Sequence, residues 1–188
     1  PQRIVFIGGG FISLEFAHAA VRAGAEVVVA HRGERILRGF DADMAAQAAG
    51  AARAAGIEVL LNAPLFSVEQ AGQGLHVRVG AKGETLLPCG MAVHGAGRVP
   101  ALEGLDLEAA GVEFSGRGVR TGADLRSASN PRVFAVGDCR DAPFALTPTA
   151  DADGNAAGRN IVSGGHEAPD CRGVPRVCFS LPPVIAVG

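Results

Sequence analysis

One stretch near the start of the chain constrains the fold more than any other. Ile4, Val5, Phe6 and Ile7 are four consecutive apolar residues, followed at once by Gly8, Gly9 and Gly10. A run with helical spacing comes next: Phe11, Leu14, Ala17 and Val21. The apolar run predicts a buried strand and the spacing predicts a helix. A glycine turn between a strand and a helix start makes an anion site, because the first helical turn leaves backbone N–H groups unpaired and carries partial positive charge. Gly8 permits a tight turn and Gly10 permits close approach of a ligand to the backbone. Ser13, another small residue, stands where the usual fingerprint has its third glycine.

Taken alone, such a pattern is also an ordinary glycine-rich turn. Its surroundings argue for more. A second strand, Glu26-Val27-Val28-Val29-Ala30, is expected after Gly24, which is the strand–helix–strand spacing of a dinucleotide-binding unit. In units that bind NAD the second strand ends in an acidic residue that bonds the ribose 2′-hydroxyl. Here Ala30 and His31 stand at that place, and Arg32, Arg35 and Arg38 follow. A carboxylate repels a 2′-phosphate, whereas arginines attract it through charge-assisted bonds of roughly 1.5–3 kcal/mol each. Two such bonds favour NADPH over NADH by about two orders of magnitude or more. The competing reading is a solvated basic turn in which Glu34 pairs internally. His31 is read as a neighbour of this site rather than a ligand.

The remaining order fits an α/β chain. Asp41 is placed to cap a helix over 42–55, and 57–61 reads as a third parallel strand. The segments 65–68, 75–79 and 85–87 are short alternating runs separated by glycine turns, which predicts a β-meander. The run 91–94 is buried and leads into Gly95-Ala96-Gly97, where Gly97 again allows close backbone approach. Further on, 133–136 reads as a buried strand ending in Gly137-Asp138, an acid placed to bond a sugar hydroxyl or, equally, to cap a helix or close a turn. Thr147-Pro148-Thr149 is expected to open a helix towards Ile161, with Thr as cap.

The 188 residues suffice for one large domain or two small ones, and 48% hydrophobic residues are ample for a core. A net charge of −2 provides no field for nucleic acid. No apolar run has the length of a membrane span. Cys89, Cys139, Cys171 and Cys178 form no closely spaced pair and no zinc spacing, so they read as separate thiols of a reducing, cytoplasmic compartment. The chain begins at Pro1 and enters the first strand immediately, which reads as a processed chain or a piece of a longer one.

Together the motifs resemble the flavin-dependent pyridine-nucleotide disulfide oxidoreductases, and the glutathione reductase branch in particular. Residues 5–17 look like that family's second nucleotide fingerprint, and 32–41 like its NADPH-selective loop. Gly97-Arg98-Val99-Pro100 is similar to the exit from its pyridine-nucleotide domain, 133–138 to its late flavin-binding motif, and Leu146-Thr147-Pro148 to the helix that approaches the flavin ring. The tail around Pro175 and Val177-Cys178-Phe179 looks like the opening of its dimerisation domain. The resemblance implies an α/β fold with a Rossmann-like parallel sheet and a meander over 1–100. It further implies a returning flavin-domain segment over 101–165 and the start of an interface domain over 166–188. It implies NADPH and FAD as cofactors, a disulfide substrate and a homodimeric parent enzyme. In such an enzyme Gly8, Gly9, Gly10 and Ile12 line the pyrophosphate and nicotinamide path, Phe11 gates the nicotinamide pocket, and Glu15 lies near it. Arg32 and Arg38 hold the 2′-phosphate, and Gly97 contacts the nicotinamide side. Gly137 and Asp138 meet the ribityl chain of the flavin, and the helix start at Thr147 faces its pyrimidine. Without the resemblance, Phe11 reads as a core aromatic and Glu15 as a helix surface charge.

The departures matter too. A first flavin fingerprint, a Cys-x4-Cys redox pair and a C-terminal His–Glu pair are missing from the sequence, and 138–147 is one residue longer than the glutathione reductase pattern. The chain alone is therefore expected to be inactive. Two other readings stay open: a stand-alone nucleotide-binding or regulatory module, and part of a flavin reductase with a non-disulfide acceptor. A piece of a larger enzyme is expected to expose apolar surface at 133–136 and along 175–188.

Overall fold

The computed structural model describes residues 2–143 and 145–187. It divides into two compact units, residues 2–97 with 176–186, and residues 98–175 with 187.

The first unit is built on a parallel sheet. Strand β1 (Arg3–Ile7) leads through the glycine turn into α1 (Phe11–Arg22), β2 (Glu26–Ala30), α2 (Ala42–Ala54) and β3 (Ile57–Leu60). An antiparallel meander follows: β4 (Leu65–Ala71), β5 (Gly74–Val79) and β6 (Thr85–Cys89). Then β7 (Met91–His94) returns to the parallel sheet, whose order is β3-β2-β1-β7. Val5 lies opposite Val28 on one side and Ala92 on the other. Successive side chains point to opposite faces, so each strand feeds two cores. Phe6, Val27, Val29 and Val59 pack on the helix side against Leu14, Ala17, Ala45 and Ala52. Val5, Ile7, Val28 and Ala30 pack on the meander side against Val77, Val79 and Leu87. Burial on both faces explains the unbroken apolar runs 4–7 and 27–30 of the two central strands, whereas the edge strands β3 and β7 carry the exposed residues Glu58, Met91 and His94. The alanine-rich face of α2 allows that helix to lie close to the sheet. The predicted elements of this unit are present, α2 ending at Ala54, β3 at Leu60 and β4 extending to Ala71.

The hairpin β10 (Arg176–Cys178) and β11 (Val184–Ala186) belongs to this unit and places Cys178 and Val184 in the helix-side core. Its outer side chains stay in water: Phe179 is 70% exposed and Ile185 58%. The four cysteines are free thiols.

The second unit has little regular structure before its helix. A two-residue hairpin, β8 (Phe114–Ser115) with β9 (Gly118–Val119), and a 3₁₀ turn at Gly137–Cys139 precede α3 (Thr147–Ser163). Two expectations need correction here. Residues 133–136 are not a strand. Their ladder is reduced to an isolated bridge between Arg126 and Phe134, with N–H donation from Ser127 to the Val133 carbonyl and from Ala135 to the Leu125 carbonyl. An apolar run becomes a strand only where a partner of matching length lies alongside it, and the irregular segment 121–128 is the neighbour here. Nor is this run an exposed patch: Ala135 is buried and its neighbours are half-buried. The second correction concerns the helix start. Thr147 is the first helical residue rather than the cap, which is Leu146. The side chain that closes the turn is Thr149, whose Oγ1 accepts from the Leu146 N–H at 3.3 Å and donates to the Leu146 carbonyl at 2.7 Å. Gly164, at φ 70°, ends the helix.

Candidate functional site

In the first unit, the turn after β1 and the loop after β2 open onto a cleft of about 480 Å³. Gly8, Gly9, Gly10, His31, Arg32, Arg38, His94 and Gly97 are among the residues that line it. These are the C-terminal ends of β1, β2 and β7, the edge at which open parallel sheets bind their ligands. Gly8 has φ 108°, and a Cβ there would collide with the Gly95 carbonyl, so the turn admits only glycine. A Cβ on Gly10 would meet nothing within 4 Å. Open space therefore lies directly above the start of α1, where unpaired amides and the helix dipole favour a phosphate group.

The three arginines of the loop are not equivalent. Arg35 turns back and donates to the carbonyls of Phe40 (3.4 Å) and Arg38 (3.5 Å), so it shapes the loop. The side chains of Arg32 and Arg38 are exposed on the cleft and, among the described residues, have no hydrogen-bond or carboxylate partner. Glu34 pairs with none of the arginines among those residues. The loop is anchored by Ile36 and Leu37, both buried, with Leu37 held at φ 49°. The Leu37 N–H donates to the Gly9 carbonyl at 2.8 Å. The Gly9 N–H in turn donates to Nδ1 of His31 at 3.0 Å. Burial lowers the pKa of His31 from its ordinary 6.5; the charges of Arg32 and Arg38 act in the same direction, against a backbone contact with Arg35.

Of the other residues singled out in this unit, Phe11, Ile12 and Glu15 sit on the first turns of α1 and do not line the cleft. Phe11 packs against the helix-side core. Glu15 Oε1 accepts the Phe179 N–H at 2.9 Å and so ties α1 to the β10–β11 hairpin. No local pattern announces this contact, because its partners are 164 residues apart.

The second unit holds another cleft, of about 690 Å³, lined by Arg98, Pro100, Arg117, Asp138, Arg140 and Asp141 among others. Asp138 Oδ2 lies 3.1 Å from Arg98 Nη1, both side chains about half exposed. Arg98 also donates to the Ala145 carbonyl at 3.2 Å. Gly137, at φ 63°, lies against Ala150 in the first turn of α3. Asp153, buried at 1% exposure, accepts from the Gly137 N–H at 3.0 Å and from Arg140 Nε and Nη2 at 2.5 and 2.9 Å. This carboxylate holds the turn carrying Gly137 and Asp138 against the helix. Thr147 is exposed and lies outside the residues lining the cleft.

Residues 1–154 match the family model described as pyridine nucleotide-disulphide oxidoreductase. The chain belongs to the pyridine nucleotide-disulphide oxidoreductase family. It is 33% identical over 188 residues to a dihydrolipoyl dehydrogenase of Pseudomonas aeruginosa, covering 100% of this chain and 39% of the relative. It is 32% identical over 188 residues to a glutathione reductase of Burkholderia cepacia, covering 100% of this chain and 41% of the relative. The crystal structure of LpdA from Mycobacterium tuberculosis superposes with a TM-score of 0.88 at 26% identity, covering 100% of this chain and 40% of that one. The chain thus spans about two fifths of the length of these members of the family. Among the described residues no helix is long and apolar enough to cross a membrane.

Proposed function

We propose that this chain is the pyridine-nucleotide-binding part of a flavoprotein oxidoreductase and that it takes NADPH in preference to NADH. One observation carries the coenzyme reading. The cleft at the glycine turn presents the Arg32 and Arg38 side chains without carboxylate partners among the described residues, just after a strand whose C-terminal end, Val29-Ala30, and the following His31 carry no carboxylate. The pyrophosphate would sit over Gly10 and the start of α1, in the space a Cβ there would enter. The 2′-phosphate would sit between Arg32 and Arg38, and Gly97 would border the nicotinamide half. FAD would be held from the other unit by Gly137, Asp138 and the helix start at Thr147; when bound, a flavin supplies a two-electron acceptor for hydride. The chain's own contribution is to bind and orient. The glycine turn and helix dipole fix the pyrophosphate, and the arginines discriminate the 2′-substituent. The half-exposed Asp138 presents an acceptor to a polyol chain.

In this reading residues 1–100 are the coenzyme domain, 101–165 a flavin-domain segment and 166–188 the start of an interface domain. The whole enzyme is a homodimer that passes hydride from NADPH to FAD and on to a disulfide substrate. The 188-residue chain contains no Cys-x4-Cys pair and by itself reduces no disulfide. Calorimetric titration with NADPH and NADH at low salt tests the coenzyme reading. Tighter NADPH binding that is lost in Arg32→Ala and Arg38→Ala is the expected result. Equal binding of the two coenzymes would overturn the preference.

A further inference from the structure

We propose, on the footing that the glycine cleft takes a pyridine nucleotide, that His31 is a positioning residue that locks the glycine turn and the arginine loop into one coenzyme-holding unit. The two segments lie 22 residues apart and meet at Gly9. The Gly9 N–H donates to His31 Nδ1, while the Gly9 carbonyl accepts from the Leu37 N–H. Both polar groups of this one peptide residue are thus spent on the loop that carries Arg32 and Arg38, leaving the following amides of α1 for a phosphate group. The contact is close-packed as well: a Cβ on Gly9 would lie 2.7 Å from Ile36 Cγ2 and 3.0 Å from the His31 ring.

The geometry also decides the tautomer. Nδ1 faces an N–H donor, so it must be the unprotonated nitrogen, and the ring proton lies on Nε2. The depressed pKa of His31 agrees with a neutral ring. The charges that act on the ring are those of Arg32 and Arg38 on its own loop, Arg35 meets it through its backbone, and His94 lines the same cleft from β7. The neighbouring segment 60–63 carries no charge, and no carboxylate pairs with the ring among the described residues. A strand-end carboxylate in this place would itself contact the coenzyme; His31 acts through Gly9 instead. It follows that loss of His31 weakens all pyridine nucleotides alike, whereas loss of Arg32 or Arg38 weakens only those with a 2′-phosphate.

Two substitutions separate positioning from mere bulk. His31→Asn keeps an acceptor oxygen near the place of Nδ1, and His31→Leu keeps volume without an acceptor. Calorimetry with NAD+ and NADP+ should show His31→Leu losing about fivefold in affinity for both, the worth of one hydrogen bond, with His31→Asn close to the parent chain. Equal affinities in His31→Leu and the parent would overturn the proposal, as would His31→Asn behaving like His31→Leu. A ligand-free readout keeps the test separate from the coenzyme reading. In ¹⁵N spectra of the unliganded chain, His31 should show a protonated Nε2 and a bare Nδ1. The Leu37 amide should stay protected from exchange in His31→Asn and lose protection in His31→Leu. A protonated Nδ1, or protection of Leu37 unchanged in His31→Leu, would overturn the clamp whether or not either nucleotide binds. A chain that binds neither nucleotide but shows this tautomer and exchange pattern would refute the proposed function alone.

Discussion

Arg140 and Asp153 form a buried, two-pronged ion pair, with Nε and Nη2 of the guanidinium at 2.5 and 2.9 Å from the two carboxylate oxygens. The oxygen nearer Nε also accepts the Gly137 N–H. One carboxylate on the second turn of α3 therefore sets the backbone that carries Asp138. The side chains are 15% and 2% exposed, so neither charge has water to fall back on. Asp153→Asn leaves the guanidinium without its counter-charge, and breaking a buried pair in this way costs about 3–5 kcal/mol. Urea unfolding should show that loss. Changing Arg140 to Met in the same chain removes the stranded charge and should restore part of it, through the coupling expected of groups in direct contact.

Gly8 is the residue of the glycine turn least able to change. Its φ of 108° lies where side chains are strained, and the added Cβ would strike the backbone carbonyl of Gly95 rather than a flexible side chain. Gly8→Ala should destabilise the first unit by about 2–5 kcal/mol, the sum of backbone strain and overpacking. Gly10→Ala, facing open space, should leave thermal stability within about 0.5 kcal/mol and weaken nucleotide binding selectively. A parallel loss of melting temperature in both variants would contradict the assignment of the open space to the ligand.

How far the sequence could be read follows from where each signal resides. The parallel sheet and its helices were legible because a strand buried on both faces must be apolar throughout, as in Val27, Val28 and Val29. The meander was legible from alternation and glycine turns. Residues 133–136 carry the same apolar signal as β1, yet a strand needs a partner, and composition does not show whether one is present. Arg32, Arg35 and Arg38 look alike in the sequence; only the path of the loop reveals that Arg35 is spent on the carbonyls of Phe40 and Arg38. His31 accepting from Gly9, and Glu15 accepting from Phe179, are contacts between residues 22 and 164 positions apart. Nor does any local pattern pair Asp153 with Arg140, 13 positions earlier in the chain.

Asp138 offers a cleaner separation of binding from stability than Asp153 does. Its pair with Arg98 is about half exposed on both sides, and exposed pairs contribute about 0.2–1 kcal/mol, less at high salt. Asp138→Asn should therefore shift the melting temperature by no more than a few degrees. On the proposed flavin reading, the same change in a longer, flavin-loaded form of the protein should weaken flavin retention, measured as FAD released on gel filtration. A large loss of stability in the 188-residue chain would mean that Asp138 is a structural residue, and would remove it from the proposed flavin site.

Two histidines make stability depend on pH in the same direction. His18 is buried on α1 at 2% exposure, and its Nε2 has no hydrogen-bond partner among the described residues. Burial lowers its pKa from 6.5. Burial also lowers that of His31, helped by the charges of Arg32 and Arg38. A group whose folded pKa lies below its unfolded value binds fewer protons when folded, so the unfolded chain gains protons first as pH falls. Neither histidine penalises folding well above pH 6.5; each does so increasingly below it, until the folded pKa is passed. Unfolding free energy, measured by urea titration, should be level near pH 8 and fall as the pH drops below about 6.5. His18→Gln, which does not titrate, should flatten part of that fall, and His31→Asn another part. A profile that rises as pH drops through 6.5, or one unchanged in both variants, would show that these rings are not held neutral by the fold.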